Sequence, residues 1–479
     1  MTVNTILTVE IISMLCASVA LSGVRSRVQQ VVVHASLGIG SLLSMMALYS
    51  LAGIKHVMVL GTSTTDTAVV FVATELGQAM TLLTIILVWA TTIFSEVYSS
   101  RRGADVDTSI GVFLMCGLGL FLAGDVVTLA IFFECMNVPL LVMLTSRTGV
   151  DATGAGWFPN KGLGQAVFLL ISYGGLSGLL LAYGLMGGFL GECVTVLPGN
   201  YAVANTGPGI SAEGGNGYAW AIYLGGAVKV ALVPVHAWLC KVHVECSTVG
   251  SALLAGVAMK SGYYMHLLFL GVTEGSCNAW LTIGLVVGGA LVCVTTIKQV
   301  DSKRWIAMYS VGHVQCLYVI WLLGGPGHRD VTAAILAGMI GHSLISAGMF
   351  LTWGAACDAM LTRVQATLRN VGTSDLRGVM FVLVLCNGAY PGSVLFMTEV
   401  VGLGGLGLRS NLLATLCISL SAVNMISGLI GVGRMITVVG TRPSWEQGGL
   451  VMVVTPLMLI SALLGLNLLL PVESFALYV

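Results

Sequence analysis

Charged residues are scarce in this chain: Asp, Glu, Lys and Arg together make 8% of 479 residues, against 57% hydrophobic. Forty charges cannot coat a globule of this size, so composition excludes a water-soluble domain. The two signs balance to a formal net charge of zero, and no run of five like charges occurs. Nothing here favours nucleic acid or an anionic surface as a partner. The twelve cysteines stand singly with no CxxC pair, which argues against a zinc site or a redox motif. Cys16, Cys116, Cys135, Cys293, Cys316, Cys386 and Cys417 lie in apolar runs and read as small hydrophobes. No His, Cys or carboxylate cluster has metal-ligand spacing. Gly402, Gly404 and Gly407 spell GxGxxG, but no strand precedes them and no acidic residue follows at the required distance, so no dinucleotide cofactor is expected. No basic residue precedes Arg25 and no small-residue cleavage site follows the first apolar run, so that run is expected to be a retained helix, not a signal peptide.

What the sequence has in abundance is apolar runs of about twenty residues, each enough to cross about 30 Å of hydrocarbon. They begin near Ile6, Val31, Ala68, Ile110, Val126, Ala166, Tyr218, Val249, Ala279, Trp305, Val331, Val379, Leu412 and Leu450. The expected fold is therefore an all-α integral membrane protein of about fourteen transmembrane helices. The two longest polar breaks, 188–217 and 354–377, leave no room for a soluble domain. Charge supports the count. Loops after odd-numbered helices hold fourteen basic residues (Arg25, Arg27, Arg101, Arg102, Arg147, Lys161, Lys241, Lys298, Lys303, Arg304, Arg363, Arg369, Arg377 and Arg442), whereas loops after even ones hold Lys55, Arg329 and Arg409. A missed or invented helix would scramble that partition, and the positive-inside rule then puts both termini outside.

Helices seven and twelve, five helices apart, each combine a proline with an ionisable residue: Lys229 with Pro234, and Pro391 with Glu399. The charge precedes the proline by five residues in the first and follows it by eight in the second, an order read here as two five-helix units inserted in opposite orientations. Prolines often merely kink membrane helices, but interrupted helices at corresponding positions of two halves point to a transport site. The resulting organisation is 1–109 for helices 1–3, 110–273 for a first five-helix repeat, 274–440 for a second, inverted one, and 441–479 for helix 14.

Lys229 in AVKVALVPVHAWL and Lys260 in SALLAGVAMKSGYYM lie deep in apolar stretches of a chain with only five other lysines. An ammonium at mid-membrane costs about 2.5–3.5 kcal/mol and marks an ion or proton route. Glu134, in LAIFFECMNVPLLVML, is expected to pair directly with Lys229, which would act as a switch: a lysine held by a carboxylate keeps its proton, and one released into an apolar setting gives it up. Lys260, on the next helix, would be a store brought near by packing. His313 and His342 lie in adjacent spans and titrate near neutrality, which suits a relay, although a lone buried His is more often satisfied by one carbonyl. Glu399 is the expected terminal station. Glu10, Glu75, His34 and His266 read as helix-end or interhelical groups, Arg434 as snorkelling to the surface, and Asp125 as a turn residue within reach of water.

The stretch from Ala227 to Tyr264, AVKVALVPVHAWLCKVHVECSTVGSALLAGVAMKSGYY, resembles the signature of the antiporter-like membrane subunits of NADH:ubiquinone oxidoreductase. Phe132, Phe133, Glu134 and Pro139 resemble that family's fifth helix. Asp301, Lys303, Ile306, Ala307, Ser310 and His313 resemble its tenth, and Asn387, Pro391 and Glu399 its broken twelfth, here with a glutamate where sister subunits carry a lysine. The resemblance implies proton translocation by Glu134, Lys229, Lys260 and Glu399, with His236, His313 and His342 in support and helix breaks at Pro234 and Pro391. It implies no redox step in this chain, whose complex would hold FMN, iron–sulfur clusters and ubiquinone in other subunits. Implied partners are the membrane-arm subunits, especially the antiporter-like subunits 2 and 5, and lipids, but no nucleic acid. The implied location is the mitochondrial inner membrane, with both termini facing the intermembrane space. Ala231, Cys240 and Ser247 depart from the family's prolines. The alternative is a subunit of a multi-subunit sodium/proton antiporter, against which the KxHxE stretch and Glu399 argue. A solute carrier lacks a substrate-sized polar set here, and a scaffold would have no need of buried lysines.

Overall fold

A computed structural model of the chain describes residues 56–60, 69–98, 104–146, 161–189, 217–269, 279–324, 329–360, 374–407 and 411–436. The first, second and fourteenth expected spans, with Glu10 and His34, lie outside the described residues.

The described chain opens with two short strands, β1 (His56–Leu60) and β2 (Val69–Ala73), paired antiparallel with His56 opposite Ala73. Apart from this ladder the described elements are helical, as expected. The apolar run beginning near Ala68 was read as helix from its start, but its first residues, VVFVA, are β-branched and aromatic and take up a ladder. Helix begins only at α1 (Glu75–Tyr98), after Thr74 accepts from Gly77 N at its hydroxyl. It is followed by α2 (Ala104–Phe121), α3 (Val126–Cys135) and α4 (Asn137–Thr145), the last two forming one apolar span with a step at Met136. Asp125, expected as a solvated turn residue, is the N-cap of α3: it accepts from Thr128 N at 2.7 Å and Thr128 Oγ1 at 2.6 Å.

Next come α5 (Lys161–Phe189), α6 (Gly217–Val230), α7 (Ala237–Glu245) and α8 (Thr248–Leu253). A π turn (Leu254–Ala258) leads from α8 into α9 (Met259–Leu268). Ser247 caps α8 by accepting from Gly250 N at 3.1 Å, so a serine starts this helix where a proline would have pre-set it. The chain continues through α10 (Ala279–Ile297), α11 (Ser302–Gly324), α12 (Arg329–Met360), α13 (Ser374–Asn387), α14 (Val394–Gly407) and α15 (Asn411–Ile436). Among the described residues, six helices are long and apolar enough to cross a membrane. Several hydroxyls inside them are satisfied locally: Thr84, Thr92 and Ser343 each donate to the carbonyl four residues earlier.

α11 and α12 form the centre of the bundle; α10, α14 and α15 pack on α11, and α14 and α13 on α12. α5 and α6 pack together, and α9 crosses α6 where Gly262 and Gly226 bring the backbones into contact. A Cβ on Gly262 would stand 2.9 Å from the Cβ of Lys229.

Two interruptions share one geometry. α6 ends with Ala231 N donating to Val228 O and Leu232 N to Ala227 O; α13 ends with Ala389 N donating to Cys386 O and Tyr390 N to Leu385 O. These are the paired bonds of a Schellman cap, and in both the residue in the left-handed region is an alanine, Ala231 at φ 61° and Ala389 at φ 55°. The following turns match as well, with Val235 N bonded to Leu232 O and Ser393 N to Tyr390 O. In this frame the counterpart of Lys229 is Asn387, two residues before each alanine, and not Glu399. The opposite order of charge and proline noted in the sequence is therefore not the relation between the two breaks.

Candidate functional site

The buried ionisable residues fall into two groups. In the first, Lys229 is buried at 3% exposure in the last turn of α6. Its Nζ donates to Asn137 Oδ1 at 2.5 Å and stands 4.8 Å from the centroid of the Phe133 ring, a cation–π contact. Asn137 Nδ2 donates in turn to Glu134 Oε2 at 3.0 Å. The direct Glu134–Lys229 ion pair expected from the sequence is replaced by an asparagine lying between them, because Asn137 begins α4 one turn beyond Glu134 and faces the same side. Glu134 Oε1 is buried with no hydrogen-bond partner. Trp238 of α7 closes the break behind Lys229: its Nε1 donates to Val228 O at 3.1 Å, a second donor on the carbonyl that Ala231 N also bonds.

In the second group, Lys260 lies at 2% exposure on α9. Its Nζ donates to Ala255 O at 2.8 Å and stands 2.9 Å from His342 Nδ1. The His342 ring stacks on His313, with centroids 5.7 Å apart and planes 4° from parallel. His313 Nδ1 lies 3.8 Å from Glu399 Oε1, beyond direct hydrogen-bond reach. Glu399 is buried on α14; Ser421 Oγ of α15 donates to its Oε2 at 2.5 Å, and Cys316 Sγ of α11 reaches its Oε1 at 3.9 Å. Lys260, His342, His313 and Glu399 thus lie in one buried line across α9, α12, α11 and α14, hydrogen-bonded at Lys260–His342 and in looser contact on either side of His313. Its interior edges are open, since His342 Nε2 and both nitrogens of His313 have no partner.

Other expected residues stand apart. His236 sits half-buried in the turn between α6 and α7, and Pro234 and Pro391 are exposed at the two breaks. His266 is interhelical: its ring bonds Tyr223 O at 2.9 Å and the Tyr318 hydroxyl at 2.8 Å. Arg434 does not reach out to the surface; it turns onto the carbonyl of Ile297 at the end of α10. The side chain of Glu75 lies outside the described residues. Three residues of the site were not singled out from sequence. Asn137 and Cys316 each stand three residues beyond a recognised group, Glu134 and His313, so helical spacing alone would have found them. Ser421 comes from a distant helix, with no local signal. Lys303, counted as a loop charge, is buried at 5% exposure and donates to Cys246 O at 2.9 Å, capping the end of α7.

A multi-helix membrane bundle with buried lysines defines a class, and the sequence comparisons agree with it. Residues 123–425 match the NADH:quinone oxidoreductase/Mrp antiporter transmembrane family, and the chain belongs to that family. Within it the similarity is to chain 4 of NADH-ubiquinone oxidoreductase. The Dictyostelium citrinum protein of that name is 29% identical over 326 residues, covering 64% of this chain and 71% of that relative. The Acanthamoeba castellanii one is 31% identical over 316 residues, 64% of this chain and 59% of the relative. The fold is shared with a chain of respiratory complex I from Thermus thermophilus (TM-score 0.78, 18% identity, 98% of each chain). A chain of the Mrp complex from Dietzia is similar too (TM-score 0.81, 16% identity, 100% of this chain and 97% of that one).

Proposed function

We propose that the chain is a proton-translocating membrane-arm subunit of NADH:ubiquinone oxidoreductase. The observation that carries this reading is the buried line from Lys260 through His342 and His313 to Glu399. Its members are all titratable side chains. Across the Lys260–His342 bond one proton can move from ammonium to imidazole. Beyond His342 the line continues with His313 and ends at Glu399, which Ser421 steadies. Lys229 and Glu134 form the switch, a charge couple whose separation decides whether the line is loaded.

NADH oxidation and quinone reduction take place in other subunits, with FMN, iron–sulfur clusters and ubiquinone there and none in this chain. The released free energy reaches this subunit as charge displacement. Moving one proton against the membrane potential takes about 2.3 kcal/mol per 100 mV, within reach of a buried lysine that gains and loses a partner. The matching caps at Ala231 and Ala389 support two inverted five-helix repeats, 110–273 and 274–440, within about fourteen spans. On this reading the chain lies in the mitochondrial inner membrane beside the antiporter-like subunits 2 and 5, and the charge partition supports both termini facing the intermembrane space.

A second reading, a subunit of a multi-subunit sodium/proton antiporter, is favoured by the fold shared with the Dietzia Mrp chain. A native gel of solubilised membranes stained for NADH dehydrogenase activity separates the two: co-migration with the activity in a very large complex is expected, and a small complex without it would favour the antiporter. Within the assembled complex, Lys229→Met is expected to abolish or sharply reduce proton translocation. Normal proton stoichiometry in that variant would overturn the reading.

A further inference from the structure

The described residues leave Glu134 and Lys229 unpaired with each other but tied to one side chain. Among the described residues Asn137 is the group bonded to both, and it is bonded in the one orientation that suits them. An ammonium can only donate and a carboxylate can only accept, so the amide must turn its oxygen to Lys229 and its nitrogen to Glu134. Reversing it would place NH2 against ammonium and oxygen against oxygen. The state of either charged group therefore bears on the pose of the amide, and through it on the other.

The surrounding helix makes room for this bridge. α5 presents Gly174 and Gly178, one turn apart on one face. A Cβ at Gly174 would stand 2.9 Å from Asn137 Nδ2, and one at Gly178 would run into the Glu134 carboxylate. Between them Ser177 donates to Gly225 O of α6 at 2.7 Å, fixing α5 against the helix that carries Lys229. The bridge thus sits in a slot bounded by α3, α4, α5 and α6. A carboxamide carries no proton that it can release at physiological pH, so Asn137 cannot pass a proton between the two groups. It can hold them at a fixed separation and transmit a change of position.

We propose that Asn137 is a positioning residue that couples Glu134 to Lys229, acting as a neutral spacer that lets the carboxylate steer the lysine without forming a closed ion pair. This rests on the assignment of Lys229 and Glu134 to proton translocation. A direct pair in a dry interior would be hard to open, whereas a charge–amide–charge bridge opens by breaking one hydrogen bond. Side chains of similar size cannot substitute. Leucine offers neither donor nor acceptor; aspartate keeps the shape and the acceptor but loses the donor to Glu134 and adds a second carboxylate. Glutamine keeps both functions on a longer stem.

The test uses sealed membrane vesicles containing the whole complex, matched for content by native gel. Proton uptake per NADH oxidised is read with a ΔpH-sensitive dye for Asn137→Leu, Asn137→Asp, Asn137→Gln and Lys229→Met. The expected result is that Lys229→Met abolishes uptake, Asn137→Leu and Asn137→Asp each lower the ratio by about tenfold, and Asn137→Gln stays within about twofold of the parent. If Asn137→Leu fails to assemble, the isosteric Asp variant decides. Normal uptake in Asn137→Asp would overturn the bridge and leave Asn137 a packing residue. Loss in Lys229→Met with normal uptake in Asn137→Leu would overturn the bridge alone, and normal uptake in Lys229→Met would overturn the reading beneath it.

Discussion

Lys260 donates to the carbonyl of Ala255, five residues earlier in its own helix, a bond opened by the π turn at Leu254–Ala258. A regular α-helix would have committed that carbonyl to Met259 N. The wider turn frees it to hold the ammonium and aims the side chain at His342, which fits the tendency of π turns to mark functional positions.

Lys260→Arg separates charge from proton transfer at this position. Arginine keeps the positive charge and some of the packing but does not deprotonate in proteins. Proton uptake by vesicles is expected to be lost in Lys260→Arg as completely as in Lys260→Met, at equal complex content. Retention by the arginine variant alone would show that only the fixed charge is needed there.

Ser421 is expected to act through Glu399. Its hydroxyl bond to the carboxylate at 2.5 Å is of the charge-assisted kind, worth about 1.5–3 kcal/mol. Ser421→Ala should lower the translocation rate by roughly tenfold. In a Glu399→Gln background the same change should have little further effect; additive losses in the double-mutant cycle would refute the coupling.

The left-handed alanines give a prediction about stability. At φ 61° and 55° an alanine carries a strain of about 1 kcal/mol that glycine lacks. Ala231→Gly and Ala389→Gly are expected to leave assembly intact and to raise the thermal stability of the solubilised complex slightly, and Ala231→Val to lower it. A destabilised glycine variant would contradict the cap geometry.

His266 supplies a contrast between structure and function. The Tyr223 carbonyl can only accept, so Nε2 carries the ring proton and Nδ1 accepts from Tyr318. Tyr318→Phe removes this hydrogen bond to a buried nitrogen, at a cost of about 1–3 kcal/mol. Lower stability with an unchanged proton-to-NADH ratio is the expected outcome, and a changed ratio would place His266 in the route.

Much of this was legible in the sequence because titratable groups in apolar runs have few reasons to exist. Lys229, Lys260, Glu134, His313, His342 and Glu399 were all found that way, and the structure brings four of them into one line. What escaped was relational. The asparagine between Glu134 and Lys229 needed the orientation of two helices, and Ser421 needed tertiary packing. Periodicity could not show that VVFVA would join a ladder before α1 begins, since a short apolar run reads equally as helix or strand. The pairing of Asn387 with Lys229 across the two breaks is a property of backbone hydrogen bonds, invisible to a comparison of charges and prolines.

The β1–β2 hairpin serves as a depth mark. A two-stranded ladder has two outer edges whose amides and carbonyls need water or other polar company, so it cannot lie in bare hydrocarbon. Phe71 also bridges to Ala123, at the turn from α2 to α3. The start of α1 and the Asp125 cap are therefore held together at one end of their helices, beside backbone that needs polar company.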